Sequence, residues 1–187
     1  MKLRYKNIIL LIALFLIPNA KSAEIIFLYQ GTLNRTIKVN ELYQFQKTKI
    51  PSNKLKNILK ITNQNEKDLL NILNYEIEVP LKASSKLMNS KIGEVFLRRL
   101  SKIVHPNKIL DKKIGAKAIR SSIILSSYNN NQKINLIDFF KAYPNKNIAI
   151  NLKALSKALE KAESLKELIE FFSDSPFKKL KDGSSSL

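Results

Sequence analysis

The chain has no cysteine and one histidine. Thiolate catalysis, cysteine-ligated zinc, disulfide frameworks and lipid attachment at a cysteine are excluded, and one imidazole cannot build a histidine-rich metal site. Glycine is nearly as scarce, with Gly31, Gly93, Gly115 and Gly183 the whole supply. None flanks a serine in the Gly-x-Ser-x-Gly pattern, where glycines permit the strained turn that lifts a nucleophile. Nor are they clustered as a phosphate-cradling or dinucleotide loop requires. The acids Glu94, Asp111, Asp138 and Glu160 are too scattered to suggest a glycosidase pair. Ser175–Lys178 matches Ser-x-x-Lys by chance in a chain rich in both residues. His105 could serve as a base by type. Its place at a helix end before Pro106 suggests instead a partly exposed, structural capping residue. No cofactor is expected, and the sequence reads against catalysis.

What is abundant is positive charge: 33 Lys and Arg against 15 Asp and Glu, a formal +18. Part of it belongs to the start. Met1–Lys6 is basic, Ile8–Ile17 is uninterrupted apolar, Pro18 breaks the run, and Ala20–Ala23 supplies small residues. This is the three-part layout of a secretory signal peptide. The apolar run is about half the roughly 20 residues of a membrane span, so cleavage after Ser22 or Ala23 is expected over retention as an anchor. Removing Lys2, Arg4, Lys6 and Lys21 leaves +14. That excess would attract lipid headgroups or envelope polymers. It is mostly dispersed lysine, which an AT-rich coding bias also explains, and without arginine–aromatic clusters it disfavours nucleic acid. Periplasm or thylakoid lumen is the expected location, with membrane association an alternative.

The rest divides into one mainly helical domain over residues 23–172 and a basic, Ser-rich tail over 173–187, expected to be disordered. Glu24–Gln30 and Arg35–Val39 read as a hairpin around Gly31–Asn34. Helices follow, capped by Asn40, opened by Pro51-Ser52 and begun at Asn65. A short piece spans Ser84–Met88. A longer helix over Ile92–Val104 carries an apolar stripe of Ile92, Val95, Phe96, Leu100 and Ile103, and helices over Ile114–Tyr128 and Ile134–Tyr143 come next. Asn147–Ile150 reads as a strand. It echoes Ile37–Asn40, and the two are expected to share one small sheet. Asn151 then caps a helix with Leu152, Leu155, Leu159, Ala162, Leu165, Ile169 and Phe172 on one face. The fold class is thus a multi-helix domain with a small β-sheet.

Two basic features are candidates for function. Arg120 sits within an otherwise apolar helix, where an unpaired charge costs several kcal/mol. A structural fork onto a carboxylate is expected, with Glu94 and Asp138 the first candidates. The alternative is an anion-binding role, with Arg98 and Arg99 as further cations. Lys153, Lys157, Lys161 and Lys166 make the last helix basic and amphipathic, a possible membrane-surface binder if its apolar stripe does not pack on the core.

Several segments resemble a cyanobacterial domain of unknown function, family 1400, found in front of predicted exported alpha/beta hydrolases. They are the Gly-x-x-apolar-Leu-Arg-Arg-apolar helix at Gly93–Leu100, Ala118-Ile119-Arg120 in a small-residue helix, the aromatic-proline end at Tyr143-Pro144, and the strand-to-helix step at Ile148–Leu152. The likeness covers roughly residues 24–162 and is loose between Lys47 and Asn89. Serines 121, 122, 126 and 127 replace the family's alanines. The resemblance implies an exported, non-catalytic accessory or partner-binding module, without the hydrolase domain and its triad. Its partner would be a separately encoded hydrolase or another envelope protein. The alternatives are a peripheral anionic-surface binder and, less favoured, a small hydrolase.

Overall fold

The computed structural model describes residues 22–161. The expected signal segment, the last helix beyond residue 161, Lys166 and the tail lie outside the described residues. Strands β1 (Ile25–Gln30) and β2 (Leu33–Lys38) form the expected hairpin, closed at Gly31, whose φ of 58° a side chain would strain. The chain then runs through α1 (Val39–Thr48), α2 (Asn53–Ile61), α3 (Glu66–Asn74), β3 (Ile77–Glu78), α4 (Leu81–Met88), α5 (Lys91–Leu100) and β4 (Val104–Pro106). It ends in α6 (Lys112–Asn129), β5 (Lys133–Ile134), α7 (Leu136–Lys141), β6 (Asn147–Asn151) and α8 (Leu152–Lys161).

The main sheet is mixed, in the order β2-β1-β6-β4. β1 pairs with β6 in parallel, Ile26 opposite Ile148, and its other neighbour is β2, so the two echoing strands do share one sheet. A parallel pair needs a crossover, and here it contains every element from β2 to α7. β3 and β5 form a separate two-stranded ribbon. Ile26, Ile37, Phe45, Leu73, Leu97, Ile119, Ile137, Tyr143 and Ile148 are buried in one core.

Short polar side chains set the helix starts, each accepting an orphan backbone N–H. Ser52 takes the Leu55 N–H at 3.1 Å, Asn65 that of Asp68 at 2.7 Å, and Asn151 that of Ala154 at 3.0 Å. The first helix departs from expectation. It begins at Val39, and the Lys38 N–H reaches forward to the Glu41 carboxylate at 3.0 Å, so Asn40 is already inside.

Two segments expected to be wholly helical are not. The helix expected to run to Val104 stops at Leu100, and the chain enters β4, drawn into the sheet by pairing His105 with Ala149. Lys133-Ile134 joins β3 before α7 begins at Leu136.

Candidate functional site

The centre of the molecule's polar chemistry is α6 and the helix beside it. Gly115, Ala116, Ala118, Ile119, Ser122, Ser126 and Ser127 are the buried positions of α6, and their small size lets neighbouring elements come close. Glycine is required at the first: a Cβ on Gly115 would lie 2.7 Å from the Ser101 Cβ. The serines do more than fill space. Ser122 donates to the Phe139 carbonyl on α7, and Ser127 to the Val79 carbonyl at 2.6 Å. They fasten α6 to elements on either side, a role that alanines could not perform.

Arg120 is half-buried on the flank of this helix, with Nε enclosed and without a hydrogen-bond partner. Neither expected carboxylate receives it, for local reasons. Glu94 is taken by Arg98, one turn further along α5, with Nη2 at 2.5 Å and Nε at 3.1 Å from Oε1. Asp138 is taken by the start of α7, where its carboxylate accepts the Asn135 N–H at 3.3 Å while Asn135 accepts its own at 3.0 Å. Both acids are satisfied within their own helices.

Arg120 nonetheless acts on Glu94. The Glu94 carboxyl is held below the usual carboxylate range, first by the hydrogen bond and charge of Arg98, and further by Arg120 and Lys113. Arg98 thus binds this carboxylate directly, whereas Arg120 and Lys113 act on it through charge alone, and Asp111 stands beside Lys113, whose backbone N–H it accepts at 2.8 Å. Arg99 is exposed and about 100° further round α5 than Arg98, away from that group. Lys113 was missed by sequence reasoning, since spacing along one chain does not reveal which helices lie side by side.

The apolar stripe of α5 is also rotated from expectation. Ile92 and Val95 are 76% and 53% exposed, whereas Gly93 and Leu97 are buried. The reason is close packing on α4: a Cβ at Gly93 would sit 2.0 Å from the Leu87 carbonyl oxygen. A residue with no side chain therefore marks the inward face.

His105 is a correction in place and environment. It is 6% exposed in β4, not a partly exposed cap at a helix end. Its Nδ1 lies 3.0 Å from the Pro106 carbonyl and its Nε2 2.8 Å from the Tyr29 hydroxyl. A carbonyl can only accept, so Nδ1 carries a proton, and in the neutral ring Nε2 then receives the Tyr29 O–H. No serine or acid shares this arrangement among the described residues.

On α8, Lys153 and Lys157 are exposed, while Leu152 and Leu155 are half-buried where the helix packs on β1 and β6. Lys161 ends the described helix, and Lys166 lies outside the described residues. An open groove of about 360 Å³ runs between Ala23–Ile25, Lys38–Asn40 and Lys141. Lys141 is engaged there, with Nζ 3.7 Å from the centre of the Tyr43 ring. Among the described residues, no three His, Cys, Asp or Glu side chains gather to hold a metal ion. Among them also, no helix is long and apolar enough to cross a membrane.

No curated protein and no solved structure matches this chain. A family does: residues 22–151 match "Alpha/beta hydrolase of unknown function (DUF1400)", and this span takes in both the α5–α6 seam and the sheet that buries His105. With well over half of its length inside that match, the protein belongs to the DUF1400 family, which is associated with alpha/beta hydrolases and whose function is unknown.

Proposed function

We propose that this protein is an exported accessory module that binds and positions an alpha/beta hydrolase without hydrolysing substrate itself. The observation that carries the reading is the state of His105. The chain has a single histidine, and a Ser-His-acid triad needs an imidazole that reaches a nucleophile on one side and an acid on the other. Here both ring nitrogens are engaged inside the sheet, by a tyrosine hydroxyl and a backbone carbonyl. Family membership supplies the association with hydrolases. The basic start, apolar run and small residues of Met1–Ala23 support export to the periplasm or thylakoid lumen.

Two measurements test this. Purified protein is expected to turn over no p-nitrophenyl ester, and to co-elute on size exclusion with the hydrolase domain of a larger member of the family. Ester turnover abolished by a single serine substitution would overturn the reading. N-terminal sequencing of material recovered from the envelope is expected to begin at Ala23 or Glu24.

A second reading, attachment to an anionic membrane surface, is supported by the exposed Lys153 and Lys157 on α8. It requires the half-buried Leu152 and Leu155 to leave the sheet, which makes it the weaker of the two. Co-sedimentation with phosphatidylglycerol vesicles that is lost in moderate salt would favour it.

A further inference from the structure

We propose that α6 is the interface of a homodimer, in which two copies of this chain pair their α6 helices antiparallel across a two-fold axis at Ser121. The helix carries a stripe with no cover. Ile114, Lys117, Ser121, Leu125 and Tyr128 are all exposed, while Gly115, Ala118, Ser122 and Ser126 beside them are buried. At about 100° per residue the five exposed positions fall within about 80° of arc, so they form one line along the helix. Three of them are large and apolar, with Ile114 44%, Leu125 42% and Tyr128 71% exposed. Ile114, Ser121 and Tyr128 recur every seventh residue, the spacing of a seam between packed helices.

The order of these residues points to a second copy as the occupant. Ser121 is at the middle of α6 (Lys112–Asn129), with Ile114 and Tyr128 seven residues to either side and Lys117 and Leu125 four. A two-fold axis at Ser121 therefore sets Ile114 of each copy against Tyr128 of the other. Self-complementarity of this kind is what an isologous pair requires, and a different partner has no need of it. The small serine at the crossing lets the two helices approach, and the larger residues close the seam on either side. Lys117 falls on the same side as Tyr128 of the second copy and lays its apolar stem along that ring. The two Lys117 residues stand about 12 Å apart along the axis, beyond the ~8 Å screening length at physiological salt.

The helix ends are complementary in charge. α6 opens with Lys112 and Lys113 and has no cation in its last turn, the reverse of what the helix dipole favours. Asp111 answers this at the backbone, accepting the Lys113 N–H at 2.8 Å. Antiparallel pairing brings Lys113, on the flank of the stripe, beside the last turn of the second copy, where the negative end of the dipole favours a cation. Two helices about 27 Å long bury less than the ~1,600 Å² of a standard interface, so the dimer is reversible, with a dissociation constant of roughly 10–100 µM expected. None of this depends on the hydrolase reading, and the two fail separately.

Sedimentation equilibrium of the mature chain from about 5 to about 500 µM, in about 150 mM NaCl, is expected to fit a monomer–dimer equilibrium. Leu125→Glu is expected to weaken association by about tenfold or more. The double change Ile92→Ser with Val95→Ser removes exposed apolar surface from α5 instead, and is expected to leave association unchanged. Register is read with introduced cysteines, since the chain has none of its own. Under mild oxidation Ser121→Cys is expected to cross-link to itself. Ile114→Cys is expected to cross-link to Tyr128→Cys in a mixture but not to itself, because two Ile114 positions stand about 21 Å apart, out of disulfide reach. The wild-type titration and the cross-links stand even if Leu125→Glu fails to fold. Association untouched by Leu125→Glu, equal weakening by the α5 double change, or self-cross-linking of Ile114→Cys would each overturn the proposal. A chain that stays monomeric throughout would overturn it too, and loss of hydrolase co-elution in Leu125→Glu would then make that domain the occupant of the stripe.

Discussion

Two tyrosine hydroxyls, one on the half-buried Tyr29 and one on the buried Tyr143, face opposite circumstances. Tyr29 donates to His105 Nε2, so Tyr29→Phe strands an acceptor at a 6% exposed imidazole. A loss of about 1–2 kcal/mol is expected, read as a lower urea midpoint at unchanged slope. Tyr143 is fully buried and its hydroxyl has no partner among the described residues. Tyr143→Phe removes an unsatisfied group and no bond, so it is expected to be neutral or stabilising at pH 7. Burial also pushes the Tyr143 phenol well above its usual value of 10.0. The unfolded chain then releases this proton first, and alkali favours unfolding. The stabilising difference is complete below about pH 10 and declines as pH rises through the interval up to the folded-state value. Above about pH 10 the wild type should therefore lose up to ~1.4 kcal/mol per pH unit more than Tyr143→Phe. Urea titrations of both proteins at pH 8, 10 and 11 check this, and parallel pH profiles would refute it.

At the scale of elements, the tightest constraint is the contact between α4 and α5. A Cβ at Gly93 would meet the Leu87 carbonyl oxygen at 2.0 Å and its carbonyl carbon at 2.8 Å, both backbone atoms that cannot swing aside. Gly93→Ala would gain about 1 kcal/mol of helix propensity. It is expected nonetheless to destabilise by a net ~2–3 kcal/mol, because the two helices must separate. Thermal melts check this, and an unchanged midpoint would mean that the helices pack less closely than described. Gly93 also shows where sequence reasoning stops. Hydrophobic periodicity weighs what a side chain carries, so it selected Ile92 and Val95 and overlooked a glycine that is buried because it carries nothing. Caps were easier, since Ser52, Asn65 and Asn151 act on their own next turn and need no knowledge of the fold. β4 was hidden because three residues ending in proline carry no pattern, and only their partner Ala149 makes them a strand. The seam was half legible. The Glu94–Arg98 spacing was visible in the chain, but that Arg98 would leave Arg120 without Glu94, and that Lys113 would join them, depends on α5 lying beside α6.

Over the whole chain cations outnumber acids 33 to 15, and without Lys2, Arg4, Lys6 and Lys21 of the expected signal segment even complete one-to-one pairing would leave 14 without a counterpart. Ion pairs such as Glu94–Arg98 and Glu24–Lys146 are solvent-exposed and contribute little each. Repulsion among the remaining lysines therefore outweighs attraction, and folding brings those charges closer than they lie in the open chain. Salt screens both, but the larger quantity sets the sign. Raising NaCl from about 50 to about 500 mM shortens the Debye length from roughly 14 to roughly 4 Å. Relief of about 1–2 kcal/mol corresponds to a melting temperature higher by roughly 3–6 °C for a chain of this length. A protein held by its surface ion pairs would respond in the opposite direction. Screening rises smoothly with ionic strength whatever the salt. Scanning calorimetry across NaCl reads the effect. A melting temperature that falls with NaCl would show that attraction, not repulsion, dominates this surface.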